Sequence, residues 1–138
     1  MYNYFFSLYL RMEFKPKLMQ LPKLTFKEEG IMHVIWMLEK AFVKEIVEKL
    51  DEEIHYNTVS TMVRNLEDKK FVSHEAFGKT HRYFPLVKKA DYSKQLLNST
   101  TRKFFDGSYK NLVSFFAKEE NISTEELREI IQIIEKNK

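Results

Sequence analysis

Tyr56-Asn57-Thr58-Val59-Ser60-Thr61-Met62-Val63-Arg64 is the stretch on which the reading of this chain turns. Val59, Met62, Val63 and, further on, Leu66 recur at helical spacing and define one apolar face. Asn57, Thr58, Ser60, Thr61, Arg64 and Asn65 then fall on or near the outer face, which is short, polar and hydrogen-bonding at its N-terminal end. Asn57 is the expected N-cap, since its side-chain oxygen can accept from an early helical N–H. Periodicity alone gives no more than a core face beside a polar face.

Two further helices precede this one. Thr25-Phe26-Lys27-Glu28 reads as a capping box. Ile31, Val34, Ile35 and Leu38 follow on one helical face, and Val43, Ile46, Val47 and Leu50 repeat the spacing until Asp51-Glu52-Glu53 breaks it. The second and third helices are spaced as a helix-turn-helix. After Lys70 the period changes. Phe71–Phe77 and His81–Leu86 are strand-like runs, Gly78-Lys79-Thr80 is the expected hairpin loop, and Pro85 ends the second run because it has no N–H for a ladder. Three helices followed by a two-stranded ribbon make the winged helix-turn-helix plan, expected over residues 21–88.

Helical periodicity returns with Tyr92, Leu96 and Phe104, and Asp106-Gly107-Ser108 interrupts it. Leu112, Phe115 and Phe116 come next. A second capping box, Ser123-Thr124-Glu125-Glu126, opens a final helix carrying Leu127, Ile130, Ile131 and Ile134. So short a segment cannot bury that much apolar surface within itself. Residues 89–138 are therefore expected to form a helical dimerisation domain, the alternative being that these helices pack back on the winged helix. Its two-fold interface would be built from Leu112, Phe115, Phe116, Leu127, Ile130, Ile131 and Ile134. The fold class expected for the whole is mainly α with a small β element (α+β).

Composition agrees. Three Gly and three Pro in 138 residues are too few for a turn-rich all-β protein. The absence of cysteine rules out disulfides, thiolate zinc sites and Cys catalysis, and fits a cytoplasmic location. The net charge of +3 is concentrated. Residues 55–90 hold seven Lys/Arg against three acids, whereas residues 91–138 hold eight of each sign. A phosphate-binding surface requires such a local excess. Met1–Leu10 is apolar and aromatic, but far short of the ~20 residues of a membrane span. It also lacks the basic lead and cleavage site of a signal peptide. Residues 1–20 are expected to be a tail, disordered or left by a start codon called too early, with Met12 and Met19 as alternative starts.

The outer face of the third helix has the groups that read base edges in the major groove. Arg can bridge the two acceptors of guanine, Asn can pair with adenine, and Thr can touch the thymine methyl. Lys79, His81 and Arg82, at or beside the hairpin tip, suit flanking phosphates or the minor groove. An enzyme is not indicated, because the chain has no phosphate-cradling Gly loop, nucleophile elbow or paired carboxylates in a cleft. Of the histidines His33, His55, His74 and His81, the cross-strand pair His74 and His81 could meet a metal with Glu75, but no clear further ligand follows. Neither metal nor cofactor is expected. The other class to weigh is a winged helix used for protein–protein contact without DNA.

Leu24-Thr25 through Trp36, Tyr56–Thr61, Leu66–Val72, Gly78–Leu86 and Leu112–Ser123, in this order and spacing, resemble the penicillinase-repressor (BlaI/MecI/CopY) family. The resemblance covers about residues 21–136. It implies a winged helix on double-stranded DNA with a recognition helix near Asn57–Lys69, a C-terminal homodimerisation segment, and repression from a pseudo-palindromic operator. It also implies a membrane metallopeptidase sensor as a partner, whose signal leads to cleavage in the dimerisation segment. The family's Asn–Phe cleavage bond corresponds here to Phe115–Phe116, with Phe115 in place of Asn. Copper sensing through C-terminal cysteines is not expected in a chain without them.

Overall fold

The computed structural model describes residues 20–119 and 121–138, so the expectation for the N-terminal tail lies outside the described residues except at Gln20. In chain order the elements are α1 (Phe26–Leu38), β1 (Ala41–Phe42), α2 (Val43–Lys49), α3 (Tyr56–Asp68), β2 (Val72–Phe77), β3 (Thr80–Pro85), α4 (Lys89–Phe104), α5 (Tyr109–Lys118) and α6 (Thr124–Lys136). They form two compact units, divided between Gln95 and Leu96.

In the first unit the capping box is complete. Thr25 Oγ1 accepts from the Glu28 N–H at 3.2 Å, and the Thr25 N–H donates to Glu28 Oε1 at 2.9 Å. α1 buries Ile31, Met32, Val34 and Ile35. α2 is short and buries Val43 and Ile46, leaving Val47 and Leu50 half-buried. α3 lays Val59, Val63 and Leu66 into the core against α1, α2 and β2. Met62, expected in that core, is only half-buried and borders a cavity of about 410 Å³ with Thr25, Glu28 and Lys69.

α3 also begins earlier than expected. Its N-cap is His55, whose Nδ1 accepts from the Asn57 N–H at 3.2 Å, and Asn57 is already helical. An imidazole nitrogen has the reach and lone pair of the usual oxygen caps. At the other end the Phe71 N–H reaches Leu66 O and the Lys70 N–H reaches Glu67 O. Lys70 (φ 66) takes the left-handed position usual for Gly, and Phe71 is fully buried behind it.

The sheet has three antiparallel strands in the order β1-β3-β2, not the two expected. The extra strand is only Ala41–Phe42, paired with Tyr83 and Arg82, and two residues carry no readable period. The hairpin loop is two residues, Gly78-Lys79, because Thr80 already pairs with Phe77. Gly78 (φ 62) occupies the first loop position, where a side chain would be strained. Helix-turn-helix followed by this ribbon is a winged helix.

The chain ahead of α1 is strapped to the start of α4. The Gln95 amide both accepts from the Leu21 N–H and donates to Leu21 O, each at 2.8 Å. Tyr92 Oη accepts from the Leu24 N–H at 3.2 Å and donates to Glu29 at 3.0 Å. Burial raises the Tyr92 phenol above its ordinary pKa, as does Glu29, so it remains a neutral donor. The Trp36 indole donates to Val87 O at 2.8 Å.

In the second unit, Asp106 (φ 53) and Gly107 (φ 73) turn the chain after α4. Ser108 and Ser123 cap α5 and α6 through their hydroxyls, each at 3.1 Å. No described residue of α5 or α6 is buried. Val113, Phe115, Phe116, Ile130, Ile131, Ile133 and Ile134 are all exposed, and Leu112 and Leu127 are half-buried.

Candidate nucleic-acid interface

With Val59, Val63 and Leu66 fixed inward, the 100° step of a helix gives each remaining α3 side chain a direction. Asn57, Thr58, Thr61, Arg64 and Asn65 share the face opposite the core and are all exposed. Ser60 stands at the edge of that face and is half-buried. Three local bonds order the face. Thr61 Oγ1 donates to Asn57 O at 3.0 Å, and Arg64 Nε and Nη2 reach back to Ser60 O and Oγ at 3.4 Å. The Arg64 contacts are long and exposed, so its guanidinium can exchange them for better acceptors. The first turn carries no acid, leaving the positive end of the helix dipole uncompensated.

The other flank of α3, with Tyr56, Ser60 and Glu67, borders the hairpin. Glu67 Oε2 lies 2.6 Å from His74 Nδ1 on β2. His74 stacks on His81 of β3 with ring centroids 4.0 Å apart and planes within 7°. Tyr83 stands directly opposite His74 in the register and is buried. Burial holds its phenol above the ordinary pKa, and the Glu67 charge adds to the shift. Among the described residues no group of three or more His, Cys, Asp or Glu is placed to hold a metal ion, and the partner of His74 is Glu67 rather than Glu75.

The wing residues separate. Lys79 is exposed at the loop. His81 is exposed but engaged in the stack. Arg82 stands back from the tip and is half-buried, with its guanidinium 5.9 Å from the centre of the Phe42 ring and Nε buried without an acceptor. Phe42 also meets the exposed Phe77 edge-on at 5.7 Å, so an aromatic patch lies on the wing face opposite the imidazoles. Not all of the local basic excess is available. Lys69 Nζ binds both oxygens of the buried Glu28, at 2.8 and 2.9 Å. The sequence showed Glu28 as a cap residue, but gave no sign of a partner 41 positions away.

The penicillinase repressor family profile matches residues 24–136, nearly all of the described residues. The chain belongs to the penicillinase repressor family. It is 26% identical over 121 residues to the penicillinase repressor of Bacillus licheniformis, covering 86% of this chain and 94% of that one. It is 25% identical over 116 residues to the methicillin resistance regulatory protein MecI of Staphylococcus aureus, covering 83% and 94%. Among solved structures, the monomeric form of Bacillus licheniformis BlaI in complex with the blaP half-operator aligns at TM-score 0.46 and 25% identity, over 53% of this chain and 92% of that one. Family membership extends through α5 and α6, so the exposed apolar helices belong to the repressor plan and are not an appendage to it. No helix among the described residues is long and apolar enough to cross a membrane.

Proposed function

We propose that this member of the repressor family is a cytoplasmic homodimer that binds a pseudo-palindromic operator through α3 and the wing, and releases it when a stress signal disrupts the dimer. The observation that carries the reading is the outer face of α3. It presents Asn57, Thr58, Thr61, Arg64 and Asn65 to solvent beside a basic wing, with the dipole's positive end unopposed. Ser60, Lys79, His81 and Arg82 complete the interface. Arg82 acts nearer the strand than the tip. Leu112, Phe115, Phe116, Leu127, Ile130, Ile131 and Ile134 form the dimer contact. Cleavage by a membrane metallopeptidase system at or near Phe115–Phe116 is the family's route to release, and both side chains are exposed here.

The test begins with operator sequences selected by the purified protein from a random duplex pool. Binding should weaken steeply as salt rises, with a log–log slope near −0.9 for each phosphate neutralised. A shallow slope would favour a winged helix that binds protein instead. Footprints should show two half-sites centred about one or two helical turns apart, whereas a single asymmetric site would contradict the two-fold reading. Arg64→Ala should weaken operator binding by about 1–3 kcal/mol and relax the preference at one base pair. An equal loss on random duplex would reassign Arg64 to a phosphate.

A further inference from the structure

We propose that Glu67, His74 and His81 form a relay that couples the reading helix to the wing, with His74 as the positioning residue. The inference rests on α3 and the wing contacting DNA as set out above. The three residues lie on three elements. Glu67 is on α3, His74 on β2 and His81 on β3, and His74 touches both of the others, bonded to Glu67 and stacked on His81, with the Tyr83 ring beside both imidazoles. A carboxylate can only accept, so the 2.6 Å bond pairs Glu67 with His74 Nδ1 as its donor. That fixes the tautomer and the ring plane together. His81 lies flat on the same ring, so the direction in which His81 presents its free edge is inherited from Glu67.

The position of the stack explains why such a link matters. From Ala76 to His81 every residue is exposed, so the outer half of the hairpin has no core to hold it. Ring contacts hold the outer half on each face. On one face, Phe77 meets Phe42 of β1. On the other, His81 meets His74 and Tyr83, and His74 carries the contact on to Glu67 of α3. Partly exposed ion pairs of this type add little to stability, which argues against a purely structural role for Glu67–His74. Their effect is expected in binding. A wing side chain already held at a fixed angle to the reading helix loses less freedom when both engage the duplex.

Each link can be cut separately. His74→Phe keeps a ring for the stack and loses the donor to Glu67, whereas His74→Asn keeps a donor and loses the stack. Affinity for the selected operator and for random duplex is measured with Glu67→Ala, His81→Ala, their double variant and both His74 variants, all checked for wild-type helicity. The relay predicts a loss of about 5-fold on operator for each single variant, the effect of freeing one ordered side chain. It predicts about the same 5-fold, not about 25-fold, for the double variant, because cutting a chain twice adds nothing. Glu67→Ala should have no further effect in the His74→Phe background. The losses should be smaller on random duplex, where helix and wing are not engaged in register. Multiplicative losses, or equal losses on both DNAs, would overturn the relay. A wild-type protein that binds no duplex would instead overturn the DNA-reading assignment.

Discussion

Ile130→Glu combined with Ile134→Glu should convert the protein to monomers in sedimentation and lower its operator affinity by about 10²–10⁴-fold, the avidity lost when a second half-site can no longer be engaged by the same particle. In the single chain, α6 leaves Ile130, Ile131, Ile133 and Ile134 between 42% and 59% exposed. Full burial of one such side chain stabilises by about 1.5–3 kcal/mol, so one turn of this helix leaves several kcal/mol unrealised until a second surface covers it. Leu127, Ile130, Ile131 and Ile134 share one face at helical spacing, whereas Ile133 falls to its side. The double Glu variant would bring four carboxylates to the centre of a two-fold interface. Buried without partners, these would be strongly unfavourable. The helix itself should survive, because both positions are exposed and Glu is a good helix former. Ile133→Glu, at the edge of the face, should weaken the dimer far less. An unchanged sedimentation coefficient for the double variant would sink the placement of the interface. Equal effects at Ile133 and Ile134 would sink the choice of face.

The parts of this architecture that could be read in the sequence are those whose cause is local. The capping box at Thr25 and Glu28 lies within one helical turn, and Gly78 marks the loop because the backbone there requires φ 62. The core face of α3 follows from spacing, and the read face follows as its complement. What escaped depends on groups far apart in sequence or unusual in role. β1 is two residues long and exists only because β3 lies beside it. His55 caps with a ring nitrogen where an Asn two residues later offered the familiar signal. Lys70 closes α3 in a conformation where Gly is the recognisable marker. Lys69 counts as one of seven local cations by composition, but its charge is spent on Glu28. Arg82, expected at or beside the hairpin tip by sequence, lies over Phe42 because β1 places that ring opposite it. The surplus of apolar residues after Leu112 was legible from composition and spacing, and no described residue of α5 or α6 is buried.

Glu28 is the second position where a large effect is expected. The residue is 4% exposed, and its carboxylate accepts from Lys69 Nζ at 2.8 and 2.9 Å and from the Thr25 N–H at 2.9 Å. Burial alone would raise its pKa, but the Lys69 ammonium and the two Thr25 contacts outweigh burial and hold it below the ordinary glutamate value. Glu28→Ala should therefore destabilise the winged-helix unit by about 2–3 kcal/mol, since it orphans a cation and opens the capping box. Glu28→Gln, which can keep the cap, should cost less. Lys69→Met should be comparably damaging, because it leaves the better-buried carboxylate without its counter-charge. Urea unfolding followed by Trp36, the single tryptophan, reports on this unit directly. The sign of the pH effect follows from the depressed pKa. The contribution is fully present above the ordinary carboxylate range and is lost as pH falls through the lower, folded-state value. The stability gap between wild type and Glu28→Gln should therefore be constant near neutrality and narrow progressively as the medium becomes acidic. A gap that stays the same below the ordinary carboxylate range would mean that shape, not charge, makes Glu28 matter. The bond to Lys69 would then be incidental to how α3 is held against α1.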